Sequence, residues 1–236
     1  MYLTCLLLDS GGDVVCPKPG PDVLLTGPSF RTWIEAVAAG PGDPDKPDSV
    51  TDQPCGVAFV YPEGQVLLRY RSAIEAKRRK FRHYVDKGIV GGSDRRVIAV
   101  SGAGIPLAFL DHDPPDIVKA VLPFGDDYAA IDVATGEVVD TGFTYRPELI
   151  KSTGNPVSTD IFLGPDYADI SGVLFSTTNI SNPPPSPGED LVFVHNPRAA
   201  NPLPDGWLGL GREYGVAVSH ERLELVRTDQ GAAGSG

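Results

Sequence analysis

Two acidic residues early in the 236-residue chain, Asp22 and Glu35, have the type and spacing of a metal-holding pair. Asp22 follows Pro21, and twelve residues separate it from the glutamate of Arg31-Thr-Trp-Ile-Glu-Ala-Val-Ala38. Two carboxylates held close together repel unless a cation sits between them, and hard oxygen ligands select Mg²⁺ or Mn²⁺. An ion so held can polarise a phosphoryl oxygen and activate an attacking water. Pro21 fixes the backbone just before the aspartate and so limits the wander of its carboxylate.

The surrounding pattern predicts the elements that must hold this pair. Asp22-Val-Leu-Leu25 reads as a short strand, and Thr26–Ser29 as the turn into a second strand, Arg31–Ala38. Trp33, Glu35 and Val37 alternate with Ile34, Ala36 and Ala38, so the two sets occupy opposite faces. Leu3–Leu8 and Val14–Val15 read as strand material around the turn Ser10–Asp13. Residues 39–56 are too rich in Gly, Pro and Asp for regular structure. From Gln65 to Lys87, Tyr70, Ile74, Lys77, Phe81 and Tyr84 draw one stripe down a helix, which Gly88 closes. Strands follow at Arg96–Val100, Ile170–Ser176 and Leu191–His195. A short helix is expected over Pro114–Leu122, and a hairpin from Tyr128–Asp132 and Glu137–Asp140. The expected fold is α/β: a mixed central sheet flanked by helices, with extra C-terminal strands, in one domain over 1–227. Residues 228–236 read as a flexible Gly/Ala/Ser-rich tail.

Pro21-Asp22, twelve residues, then Glu35-Ala36-Val37 resembles the PD-(D/E)XK restriction-endonuclease-like nucleases. The order strand, Pro-Asp strand, Glu strand, long helix, strand resembles that superfamily too, over about the first hundred residues. "Trp-Ile-Glu-Ala-Val" before a Lys/Arg-rich helix is also similar to uncharacterised bacterial proteins. The resemblance implies a restriction-endonuclease-like core and Mg²⁺- or Mn²⁺-dependent hydrolysis of DNA, with Asp22 and Glu35 as metal ligands. It also implies a lysine two residues after the second acid, where this chain has Val37. Lys77 is the candidate replacement. It interrupts the stripe that should pack on the sheet, so its charge must reach water or an anion. Relocated lysines are tolerated in the superfamily. The alternative is a catalytically inactive module of that fold which binds a protein partner, and the missing motif lysine and acidic body favour it.

The net charge of −11 argues against nucleic acid on average, but the average hides a basic segment. Between Arg69 and Arg96 ten Lys and Arg face three acids, so this stretch carries +7 and the remainder −18. Arg71, Arg78, Arg79, Lys80 and Arg82 are the expected contacts to DNA phosphates. A solvated helix face that balances acidic neighbours reads equally well from the same residues. Three cysteines, Cys5, Cys16 and Cys55, with no C-x-x-C fit a reducing, cytoplasmic setting better than a disulfide or zinc framework. No basic leader precedes the first apolar run, so a secretory signal is not expected. The abrupt start is compatible with a piece of a longer protein. No stretch has the roughly 20 apolar residues of a membrane span.

Three other constellations have milder readings. Asp111-His-Asp-Pro-Pro-Asp116 could ligate a metal, but reads better as a polar loop with Asp113 capping a helix. Ser101-Gly-Ala-Gly104 lacks the glycine spacing and lysine of a phosphate loop and reads as a turn. His195 ends a strand without any nucleophile motif, so a hydrogen-bonded structural histidine is expected. Trp33 and Trp207 read as core or rim residues.

Overall fold

The computed structural model describes residues 2–52, 56, 58–110, 113–219 and 222–229. Helix α1 (Tyr2–Asp9) precedes strands β1 (Asp13–Val15), β2 (Val23–Thr26) and β3 (Arg31–Ala38). Helix α2 (Glu63–Asp86), β4 (Arg95–Ser101) and helix α3 (Asp116–Val121) follow. Two small hairpins come next, β5 (Phe124–Ile131) with β6 (Val138–Tyr145), and β7 (Glu148–Ile150) with β8 (Pro156–Ser158). The chain then forms β9 (Gly172–Ser176), β10 (Val192–His195), β11 (Arg212–Ser219) and β12 (Arg222–Asp229).

Eight strands make one mixed sheet in the order β1-β2-β3-β4-β9-β10-β11-β12. β1, β2 and β3 form an antiparallel meander, and the α2 crossover makes β4 parallel to β3. β9 continues parallel to β4, β10 runs antiparallel to β9, and β11 is parallel to β10. The protein is therefore mixed α/β with a large mixed central sheet and few helices.

Alternation in β3 divides the core as its pattern predicts. Trp33 joins Tyr70, Ile74, Phe81 and Ile98 beneath α2, whereas Ile34 joins Leu6, Leu7, Val97 and Leu174 on the other face. α2 packs through Val66, Leu67, Tyr70, Ala73, Ile74 and Phe81, close to the expected stripe. Gly88 (φ +68°) ends it: its N–H bonds Val85 O, and Ile89 N–H returns to Tyr84 O.

The Leu3–Leu8 run is a helix, not a strand. A short apolar run fits either element by periodicity, and burial decides. As a helix it covers the second sheet face with Leu6 and Leu7, and Gly11 (φ +79°) closes it by bonding Leu8 O. The Pro114–Leu122 helix starts two residues late, because Pro115 holds Pro114 out of the helical region and itself takes φ −55°, ψ 145°. Asp113 therefore does not cap it; its carboxylate lies 3.6 Å from Arg227 instead. Thr228 and Asp229, read as tail, belong to β12. The rest of that expected tail, Cys55, and Asp111 and His112 lie outside the described residues.

Candidate functional site

Glu35 sits in the middle of β3, opposite Ile98 of β4, with its side chain on the α2 face. It is completely buried. Lys77 Nζ donates to Glu35 Oε1 at 2.8 Å, and Lys80 Nζ makes a shorter bond to the same oxygen. Lys77 interrupts the apolar stripe because a buried carboxylate waits beneath it. Lys80, one helical turn on, is more exposed (43% against 19%) and lies 5.6 Å from the Tyr84 ring centre. The hydrogen bond to Glu35 raises the Lys80 ammonium above its ordinary range, outweighing partial burial. Glu35 Oε2 is buried and has no hydrogen-bond partner.

Asp22 lies one residue before β2, whose register sets Val23 against Ile34 and so brings Asp22 alongside Glu35 and Ala36. Its carboxylate accepts the Ala36 N–H at 2.8 Å, standing in for the strand pairing that ends there. Asp22 is exposed and lines a cleft of about 710 Å³ with α1, Ala38, Ala99, Ser101 and Leu174. The two acids are neighbours in the sheet, but their carboxylates have different partners: backbone for Asp22, lysines for Glu35.

Mg²⁺ is commonly held by one or two carboxylates, with waters and substrate phosphates completing its shell. Each acid offers an oxygen of that kind, Glu35 Oε2 without a donor and Asp22 open to solvent, but Glu35 has no exposed surface and does not line the cleft that Asp22 opens into. Among the described residues no group of three or more His, Cys, Asp or Glu converges on one point, so protein atoms alone would leave the shell incomplete.

The expected phosphate-facing row does not form one surface, and this corrects the reading of two of its members. Arg71 and Arg78 are both more than nine-tenths buried. Arg71 bonds Ser158 O at 2.9 Å and the Tyr167 hydroxyl at 3.2 Å. Arg78 pairs with Asp169 at 2.8 Å and stacks 3.9 Å from the Tyr167 ring centre. Arg82 meets the same Asp169 at 3.2 Å. Lys80 belongs to Glu35, and Arg79 alone of the five is exposed without an ion pair among the described residues. Arg71, Arg78 and Arg82 thus anchor the helix to partners 87 to 96 residues downstream.

The turn at Ser101, the core Trp33 and the hydrogen-bonded His195 hold as read, whereas the Asp113 cap does not. Ser101–Gly104 is a turn, with Ile105 N–H bonded to Gly102 O. Asp116 accepts a short hydrogen bond from Tyr61. Trp33 is a core residue whose indole N–H donates to Asp94 at 2.9 Å. His195 Nε2 lies 2.8 Å from Glu213 Oε2, and Glu213 also accepts the N–H groups of Gly206 and Leu208.

Burial pushes the Glu213 carboxyl up, but His195 and the two N–H donors outweigh it and hold the group below its ordinary value. A carboxyl depressed in the fold contributes stability above its unfolded value, 4.5, and loses it as pH falls through the folded one. Glu213→Gln should therefore cost about 1–3 kcal/mol at pH 7. In urea titrations from neutral to acid pH, the gap between the two proteins should close below the unfolded value; a constant gap would contradict the charged pairing.

Sequence reasoning found Lys77 but missed Lys80 as a second partner of Glu35, although Lys77, Lys80 and Tyr84 share one helical stripe. It also missed Glu63, which Lys119 and Arg146 pair at 2.7 and 2.6 Å, because those partners are 56 and 83 residues away. Comparison of the chain with known protein families, with characterised proteins and with solved structures gives no match.

Proposed function

We propose that the protein is a metal-dependent phosphodiesterase of the restriction-endonuclease-like class, acting on DNA. The observation that carries this reading is the 2.8 Å contact between Lys77 on α2 and Glu35 on β3, beside Asp22. A lysine reaching the second acid from the following helix compensates for Val37 at the motif position. The order meander, α2, parallel β4 supports the same restriction-endonuclease-like core. Asp22 and Glu35 would hold Mg²⁺ or Mn²⁺, which when bound stabilises charge at a phosphoryl oxygen and acidifies water. Lys77 and Lys80 supply fixed positive charge beside that position. Two free cysteines, Cys5 and Cys16, suit a cytoplasmic setting. Among the described residues no helix is long and apolar enough to cross a membrane.

Nicking of supercoiled plasmid tests this directly. The parent should nick in Mg²⁺ and not in EDTA, and Asp22→Ala, Glu35→Gln and Lys77→Met should each lower the rate by about 100-fold or more. Unchanged rates in the folded variants would remove these residues from the reaction. The second reading, a catalytically inactive module that binds a protein partner, is favoured by one observation: Glu35 is fully buried and two lysines already match its charge. No heat of Mg²⁺ or Mn²⁺ binding, together with no nicking by the parent, would select it.

A further inference from the structure

The α2 cations do not share one face, yet a basic groove runs along the flank of the helix. It lies between α2, the loop around residues 42–49 and the β7–β8 hairpin, with a volume of about 810 Å³. Lys46, Arg69, Arg71, Arg79 and Lys151 line it, against the acids Asp43, Asp48 and Glu75. Each acid already has a partner. Asp43 lies 3.9 Å from Lys46, Asp48 accepts the Ser152 N–H at 2.8 Å, and Glu75 accepts the Tyr167 hydroxyl. Two of the cations do not: Arg79 and Lys151 are exposed and carry no ion pair among the described residues. Arg71, nine-tenths buried in the groove wall, keeps Nη1 without a hydrogen-bond partner.

A net positive concavity with unpaired cations is out of character for a chain of net charge −11. The local field there attracts an anion that the rest of the surface repels. We propose that this groove binds the sugar–phosphate backbone of a nucleic acid, with Arg79 and Lys151 contacting successive phosphates. The choice of nucleic acid among polyanions rests on the phosphodiesterase reading; the groove itself does not. Each phosphate neutralised releases condensed counterions, so binding there must weaken steeply with salt.

The test is fluorescence anisotropy of a short fluorescein-labelled DNA duplex in EDTA, across a series of NaCl concentrations. Arg79→Glu/Lys151→Glu should lose affinity roughly tenfold or more, and its log–log salt slope should be shallower by about 2. Lys18→Glu/Lys87→Glu makes the same change in net charge at exposed positions outside the groove and should leave the slope unchanged. The inference is overturned if the parent does not bind the duplex, if the groove variant keeps the parent's affinity and slope, or if both double variants lose equally. Because EDTA removes any metal-dependent cleavage, a parent that binds through the groove but never nicks supports this inference while failing the phosphodiesterase reading.

Discussion

Replacing Lys77 and Lys80 together by methionine should lower the free energy of unfolding by about 3–5 kcal/mol at pH 7. Glu35 has no exposed surface, and Oε1 receives both ammonium groups. Without them a carboxylate would remain beneath α2 with neither charge nor donor, since Oε2 already lacks one. A buried ion left unpaired costs far more than the pair itself contributes. Adding Glu35→Gln to the double variant should recover most of the loss, because a neutral amide needs no counter-charge. Urea unfolding of the parent, the double variant and the triple variant measures all three. A double variant as stable as the parent would mean that Glu35 does not depend on α2 for its charge.

The same series separates two jobs that one contact could perform. If Lys77 serves only to neutralise Glu35, Lys77→Met should change stability and leave the rate of plasmid nicking where Lys80 alone can hold it. If it also supplies charge to the reacting phosphate, the rate should fall much further than stability does. Lys80 has the solvent access that Lys77 lacks, so Lys80→Met should cost less stability than Lys77→Met.

The parts that could be read from sequence are those whose signal is local. The position of β3 follows from the alternation of Trp33, Glu35 and Val37 with Ile34, Ala36 and Ala38, and that of α2 from a stripe of about four turns, Tyr70 to Tyr84, closed by Gly88. Lys77 stood out for the same reason: a charge on an apolar face requires an explanation, and Glu35 is that explanation. The misses lie where local pattern is ambiguous or partners are distant. Eight residues of α1 are too few for period 3.6 to be told from period 2, so only the covered sheet face makes them helical. Arg71 and Arg78 look like neighbours in a basic run, yet Tyr167 and Asp169, which bury them, lie 96 and 91 residues downstream. That Asp22 and Glu35 would be neighbours across the β2–β3 pairing was legible; that their carboxylates would take different partners was not, because Lys80 and the Ala36 N–H enter through tertiary packing.

Arg78→Met should destabilise the fold by about 2–3 kcal/mol while leaving duplex binding in EDTA unchanged. The guanidinium is buried between the Tyr167 ring and Asp169, ties α2 to the turn before β9, and faces no solvent through which a phosphate could approach. Methionine keeps much of the volume and stacking but removes the charge, so Asp169 loses its closer partner. Asp169 is not itself fully buried and keeps Arg82 at 3.2 Å, which holds the cost below that of stranding Glu35. Arg82 is more than half exposed, and Arg82→Met should cost less than about 1 kcal/mol. Chemical denaturation and duplex anisotropy on the two variants give opposite patterns for the two roles. A loss of DNA affinity in Arg78→Met without a loss of stability would return Arg78 to the phosphate-binding row and would mean that α2 turns a different face to its ligand.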